Sequence, residues 1–192
     1  MQLTDYDVHA HTTWILSTSA PNSLVGLATV ANAVRTQRDK QKRCRAAIGD
    51  EARTLHEAGG TWSEIADWTT LTEKGVRALA RATGARVGPS AGPFAARHDD
   101  ELSALVAQVP ANPFFRICEL LAAARFFEAV ANELDEARNW LCFELASSGV
   151  GRTQIARRAQ VGQLTLARRI SRARRSGTRD RLDATPGSEM AG

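Results

Sequence analysis

At 192 residues the chain can hold one domain with a good core or two small ones, and it needs no disulfide staples to fold. Its three cysteines, Cys44, Cys118 and Cys142, form neither a Cys-x-x-Cys pair nor a Cys/His cluster with metal spacing, so they read as buried thiols of a reducing compartment and argue against a zinc site. No run of eighteen apolar residues occurs and the start, MQLTDYDVHAHTTW, lacks a secretion signal's basic stretch and apolar core, so a cytoplasmic protein with no membrane partner is expected.

Residues 1–21 carry β-branched and polar residues without a helical period and read as a flexible arm, separated from the first helix by Pro21-Asn22-Ser23. From Leu24, apolar Leu27, Val30, Ala31 and Val34 recur at three and four, one face of a helix. That helix runs into the basic stretch 35–45, RTQRDKQKRCR, read either as its solvated end or as a phosphate-tracking surface. The next helix spans 46–57 and is closed by Gly59-Gly60. Helical stretches near 62–68 and 73–83 complete an N-terminal unit, 22–88.

The glycine-rich stretch 84–92, GARVGPSAG, marks a boundary near residue 90, and 89–98 is taken as the linker. A C-terminal unit, 99–176, begins with a short helix to about residue 109, interrupted by Pro110-Ala-Asn-Pro113. Residues 114–148 are the most apolar region and read as two helices that form the main core and a candidate homodimer interface, 114–145. The tail 177–192 has few apolar residues and is expected to be disordered. The fold class is therefore all-α, two helical units with one helix-turn-helix each.

Charge is unevenly spread along the chain. Residues 99–150 hold nine acidic and three basic side chains, whereas 151–192 hold ten basic and three acidic. Such a one-signed patch attracts a polyanion, and nucleic acid is the usual one.

Two segments carry the motif behind that expectation. A helix-turn-helix needs a small residue where its helices cross, a tight turn, a cap for the second helix and apolar residues that lock the two together. In 153–170, TQIARRAQVGQLTLARRI, Ile155 and Ala156 supply the inner face with Ala156 at the crossing, Val161 fills the turn, and Leu166 and Ile170 hold the second helix. In 62–81, WSEIADWTTLTEKGVRALAR, Ile65, Ala66, Leu71, Val76 and Ala80 take the same roles and Thr72 caps.

The second segment resembles the pattern of many bacterial repressors and of the promoter-reading part of sigma factors, Ile-Ala-x-x-x-Gly-Val-Ser-x-x-Thr-Val-x-x-x-Leu. Gln160 stands where the turn glycine is usual and Gly162 where the capping serine is; Thr70 replaces that glycine in the first copy. The resemblance is to bacterial helix-turn-helix DNA-binding proteins as a motif class, without a specific family. It implies double-stranded DNA as partner, with the second helix of each motif in the major groove. Base readers would then be Gln163, Leu164, Ala167 and Arg168 in one copy and Glu73, Lys74, Arg77 and Ala78 in the other. Arg152, Arg157, Arg169, Arg172 and Arg174 would bind phosphates. Glu64 and Asp67 make the first copy's opening helix acidic, which leaves protein contact open for it.

The two segments align without a gap at a separation of 90, pairing Gly59 with Gly149, Ile65 with Ile155 and Leu71 with Val161. Upstream the offset pairs Leu27 with Ile117, Val30 with Leu120 and Leu55 with Leu145, although only eight of 61 positions over 22–82 are identical. The pairing suggests tandem duplication of a helical unit.

Competing chemistry has little support. Asp7-Val-His9-Ala-His11 resembles the His-x-His of metal hydrolases, but only His56 and His98 remain to complete a ligand set. There is no phosphate-binding glycine motif and no Gly-x-Ser-x-Gly, so neither an enzyme nor a cofactor is expected. Trp140 is expected in the core, with Trp62 and Trp68 partly buried. The functional expectation is a sequence-specific DNA-binding transcriptional regulator. The alternatives are an architectural, partition or recombination accessory DNA-binding protein and a sigma-factor-like partner of RNA polymerase.

Overall fold

The computed structural model describes residues 7–20, 22–82 and 112–176. Of these, 84% are helical and none is in a strand, so the chain is all-α. In chain order the helices are α1 (Val8–Ser17), α2 (Leu24–Glu57), α3 (Trp62–Thr69), α4 (Glu73–Ala82), α5 (Pro113–Ser147), α6 (Arg152–Arg158) and α7 (Gln163–Ser176). The linker expected at 89–98, the short helix to about 109 and the tail 177–192 lie outside the described residues.

Three expectations are corrected. Residues 8–17, read as part of a loose arm, form α1. Asp7 caps it, its carboxylate accepting from the backbone N–H of His9 at 2.9 Å and of Ala10 at 3.2 Å. The buried side of α1 holds Thr12, Ile15 and, just beyond its end, Ser19. Both hydroxyls donate to their own helix, Thr12 to the Val8 carbonyl and Ser19 to that of Ile15, so polar residues occupy a buried face at little cost and hide its period.

The second correction is that one helix, α2, replaces the two expected over 24–57. Its 34 residues extend about 51 Å at 1.5 Å per residue. Leu27, Val30, Val34, Gln37, Gln41, Cys44 and Ile48 are all buried, at alternating intervals of three and four. Gln37 and Gln41 carry the buried stripe through the basic stretch, while Arg35, Arg38 and Lys42 project from the exposed side. The helix continues where apolarity lapses.

The third is that α5 is likewise continuous where two helices were expected. Pro113 opens it in the first helical position, and the Asn112 side chain accepts from the N–H of Phe114 at 3.0 Å. Its buried positions include Ile117, Leu120, Ala124, Ala131, Leu134, Arg138, Leu141 and Leu145, again alternating three and four once half-buried Phe127 is included.

Glycine ends both long helices in the left-handed region, Gly59 at φ 102° and Gly149 at φ 87°. After α2 the N–H of Gly60 donates to the Leu55 carbonyl and that of Gly59 to His56; after α5 Val150 donates to Leu145 and Gly149 to Ala146. These bonds satisfy carbonyls that a helix end leaves open.

The described residues form two units that are not successive in sequence. One takes 39–82 and 112–127; the other takes 7–20, 22–38 and 128–176. The first therefore contains α3 and α4 with the C-terminal part of α2 and the N-terminal part of α5. Its core joins Ile48 and Ala52 of α2, Ile65 and Ala66 of α3, Val76 of α4, and Ile117 and Leu120 of α5. The second contains α1, α6 and α7 with the complementary parts of α2 and α5, and it buries Leu27, Val30, Val130, Leu134, Ile155 and Leu166 to 3% exposure or less.

Of the thiols, Cys44 and Cys142 are buried and Cys118 is half-buried. Burial pushes Cys44 and Cys142 up to about 11. A thiol raised by two units carries roughly 100-fold less thiolate at pH 8, and thiolate is the species that alkylates. Iodoacetamide should therefore label Cys118 first in the native protein and reach the other two only on unfolding. Equal labelling of all three, read by peptide mass spectrometry, would contradict the packing described.

Candidate nucleic-acid interface

Each unit presents a pair of short helices joined by a tight turn. In the first pair, Thr61 caps α3 through a reciprocal arrangement: its hydroxyl accepts from the Glu64 N–H at 3.2 Å, while its own N–H donates to the Glu64 carboxylate at 2.8 Å. Two bonds to the carboxylate, from the Thr61 N–H foremost and from the Thr61 hydroxyl at 2.8 Å, hold the exposed Glu64 carboxyl below its ordinary range. The pattern Thr61-x-x-Glu64 is a capping signal in the sequence that the helix-turn-helix reading passed over. Thr72 caps α4 as expected, its hydroxyl accepting from the Gly75 N–H at 3.1 Å. In the second pair, Gly151 and Gly162 precede α6 and α7; at Gly151 there is no side-chain cap.

The inward side of each pair matches the expected roles. Ile65 and Ile155 are fully buried, and Ala66 and Ala156 are buried at 6% and 5% exposure. Any longer side chain at these alanines would push against the partner helix. Val76 and Leu166 secure the second helix of each pair at 1% exposure. Leu71, Val161 and Ile170 are half-buried.

The turns explain the missing glycines. Thr70 lies at φ 53° and Gln160 at φ 55°, so both occupy the left-handed region that glycine tolerates best. Each uses its side chain as well. Arg125 of α5 donates to the Thr70 hydroxyl at 3.2 Å, and Gln160 donates to the Asn32 side chain of α2 at 2.7 Å.

All eight candidate base readers are exposed: Glu73, Lys74, Arg77 and Ala78 on α4, and Gln163, Leu164, Ala167 and Arg168 on α7. They are not equally available. Glu73 and Arg77 form an ion pair one turn apart on α4. Gln163 donates through Nε2 to the Thr153 hydroxyl of α6 at 3.2 Å. Leu164, at 68% exposure, packs against little.

Of the candidate phosphate ligands, Arg152, Arg157, Arg172 and Arg174 are exposed and make no salt bridge among the described residues. Arg169 differs. Its guanidinium donates to Asp135 at 3.0 Å and to Asn139 at 2.5 Å, and only 18% of its side chain is exposed. Asp135 also binds Arg138, so one carboxylate on α5 joins two guanidiniums. Burial chiefly, and Arg169 in addition, pull Arg138 below its ordinary pKa, while Asp135 opposes them. Arg169 is thus a strut between α7 and α5, a correction to its placement among the phosphate ligands. Its position could have revealed this: it lies between Leu166 and Ile170 on the inward side of α7. Arg158 and Arg175, which the motif pattern did not single out, are exposed on the same pair.

Electrostatically the pairs diverge. In α3 and α4, Glu64, Asp67 and Glu73 balance Lys74, Arg77 and Arg81; α6 and α7 carry eight arginines and no acid. The second pair carries no aromatic residue, whereas α3 carries two. Trp62 is half-buried 4.0 Å from His56, and Trp68 is 60% exposed with its ring 5.1 Å from Phe114. Trp140, expected in the core, is only half-buried and pairs with Phe143. His9 and His11 lie on α1, where residues two apart diverge, so the strand alternation behind a His-x-His site does not apply. No metal-binding cluster occurs among the described residues, and no helix among them is long and apolar enough to cross a membrane.

No protein-family model matches the chain, and comparison with curated proteins and with solved structures finds no match either.

Two substitutions test these local assignments. Thr70→Gly should stabilise the protein by about 0.5–1 kcal/mol in urea unfolding, because a β-branched residue is disfavoured at positive φ and the exposed Arg125 bond offsets little. Arg169→Ala should destabilise it by about 1.5–3 kcal/mol, the worth of hydrogen bonds to a charged group. Full stability in Arg169→Ala would return that arginine to the surface set.

Proposed function

We propose that the chain is a cytoplasmic, sequence-specific double-stranded DNA-binding protein, a transcriptional regulator, with α6 and α7 as its principal helix-turn-helix. The observation that carries this reading is the surface of that pair. Seven of its eight arginines are exposed and without an acidic partner among the described residues, around an outward face of Gln163, Leu164, Ala167 and Arg168. Nothing in folding calls for such a face, since like charges a turn apart on a helix repel. A duplex fits it chemically: α7 suits the width of the major groove, and arginines flanking it meet the phosphates on either side.

α3 and α4 have the same backbone plan and a different surface. Their charges cancel and Arg77 is tied to Glu73, so this pair contributes less to affinity; its acidic α3 favours a protein contact as the second reading for this surface alone. The common plan, with left-handed residues at 59 and 149 and at 70 and 160, supports a tandem duplication whose copies have since diverged in charge.

Selection of bound duplexes from a random pool tests the proposal, and recovery of no enriched sequence would refute sequence-specific binding. Salt dependence then apportions affinity. Each lost phosphate contact lowers the slope of log K against log salt by about 0.9. Arg172→Ala and Arg174→Ala should each lower it by that amount, Arg169→Ala should not, and Arg77→Ala should change it least. A larger effect from Arg77→Ala than from Arg172→Ala would reverse the roles of the two pairs.

A further inference from the structure

We infer that Thr153 determines which base Gln163 accepts, restricting it to adenine; the inference rests on the proposed DNA-binding role of α6 and α7. Gln163 is the first residue of α7 and is exposed on the outward face, and Thr153 lies ten residues earlier on α6, also exposed. They are joined by one bond, Gln163 Nε2 to the Thr153 hydroxyl at 3.2 Å.

A glutamine amide has two N–H donors on one nitrogen and one carbonyl acceptor. Free to turn, it can meet adenine with one donor and the acceptor, or direct both donors at guanine, whose major-groove edge offers only acceptors at N7 and O6. The bond to Thr153 occupies one of the two donors. What remains is one N–H and the carbonyl, and with the bond to Thr153 made by the hydrogen anti to the carbonyl these two lie side by side. That pair matches adenine, whose N7 accepts and whose N6 amino group donates. Guanine would set its O6 against the glutamine carbonyl, two acceptors facing each other with no proton between them.

Thr153 is a positioning residue in this scheme, and Gln163 is the residue that touches the base. Ser63, the counterpart of Thr153 at the 90-residue offset, faces no glutamine at the start of α4, where Glu73 pairs with Arg77 instead. The device belongs to the second pair alone.

The test is selection from a random duplex pool with the full chain and three variants. The wild-type protein should enrich adenine over guanine at one position of its site by about 5- to 150-fold, the range for a good bidentate pair. Gln163→Ala should abolish the preference at that position only. Thr153→Val, which keeps the shape and removes the hydroxyl, should bind with similar overall affinity while admitting guanine there, and Thr153→Ser should restore adenine. An unchanged adenine preference in Thr153→Val, or a wild-type site with no position governed by Gln163, overturns the inference while leaving DNA binding intact. Failure of the wild-type chain to enrich any sequence overturns both. Circular dichroism of each variant separates a change in base preference from loss of fold.

Discussion

Both units depend on a buried stripe that alternates three and four residues along α2 and α5. α3, α4, α6 and α7 are 8, 10, 7 and 14 residues long, too short to be stable alone in water. They persist because the stripes give their apolar sides something to pack against. In one unit Ile65 and Val76 meet Ile48, Ala52, Ile117 and Leu120; in the other Ile155 and Leu166 are as deeply buried. On a helix of 3.6 residues per turn an average interval of 3.5 drifts by only about 20° per heptad, so each stripe keeps to one broad side of its helix. The remaining sides of α2 and α5 can then carry almost any charge, and α2 does, with Arg35, Arg38 and Lys42 in its exposed positions.

Charge on α6 and α7 is not explained by that scaffold. Arg168 and Arg172 stand one turn apart, as do Arg172 and Arg175, and each such pair costs a few tenths of a kcal/mol in an isolated helix. Among the described residues, only Arg169 of this pair is compensated from within, by Asp135 and Asn139. The protein thus treats its arginines in two ways. One is turned inward to hold α7 in place, and the others are left to water. A fold selected for stability alone would gain by replacing several of the exposed ones with acids, as α3 and α4 illustrate with Glu73 placed four residues before Arg77.

How far the sequence disclosed this architecture depends on what each residue reports. Ile65, Ala66, Ile155 and Ala156 were legible because small and branched apolar residues at a helix crossing have few other uses. Gly59 announced the end of α2 because its positive φ leaves few alternatives. The long helices are not legible as single helices, since Gln37 and Gln41 in α2 and Arg138 in α5 occupy stripe positions that an apolar period cannot see, and Thr12 and Ser19 hide α1 for the same reason. Arg169 stands in a row of arginines that invites one interpretation, and its bond to Asp135 joins residues 34 apart and is invisible to local pattern. The outward face of α7 needed only helical geometry and was read correctly as exposed.

The composition of the units bears on how the chain reaches its folded state. A division near residue 90 would give each half its own long helix and its own helix pair. Instead, the core around Ile65 is completed by Ile117 and Leu120, and Gln160 is bonded by Asn32. Each pair therefore draws on its own preceding helix and on the long helix of the other half. Such contacts close loops of tens to more than a hundred residues, and closure must precede the burial that rewards it. α3 and α4 cannot complete their core from residues 22–88, nor α6 and α7 theirs from 99–176. The same reciprocity reaches the turns: Arg125 of α5 bonds Thr70, and Asn32 of α2 bonds Gln160, so each left-handed turn residue is held by a long helix from outside its own half of the sequence.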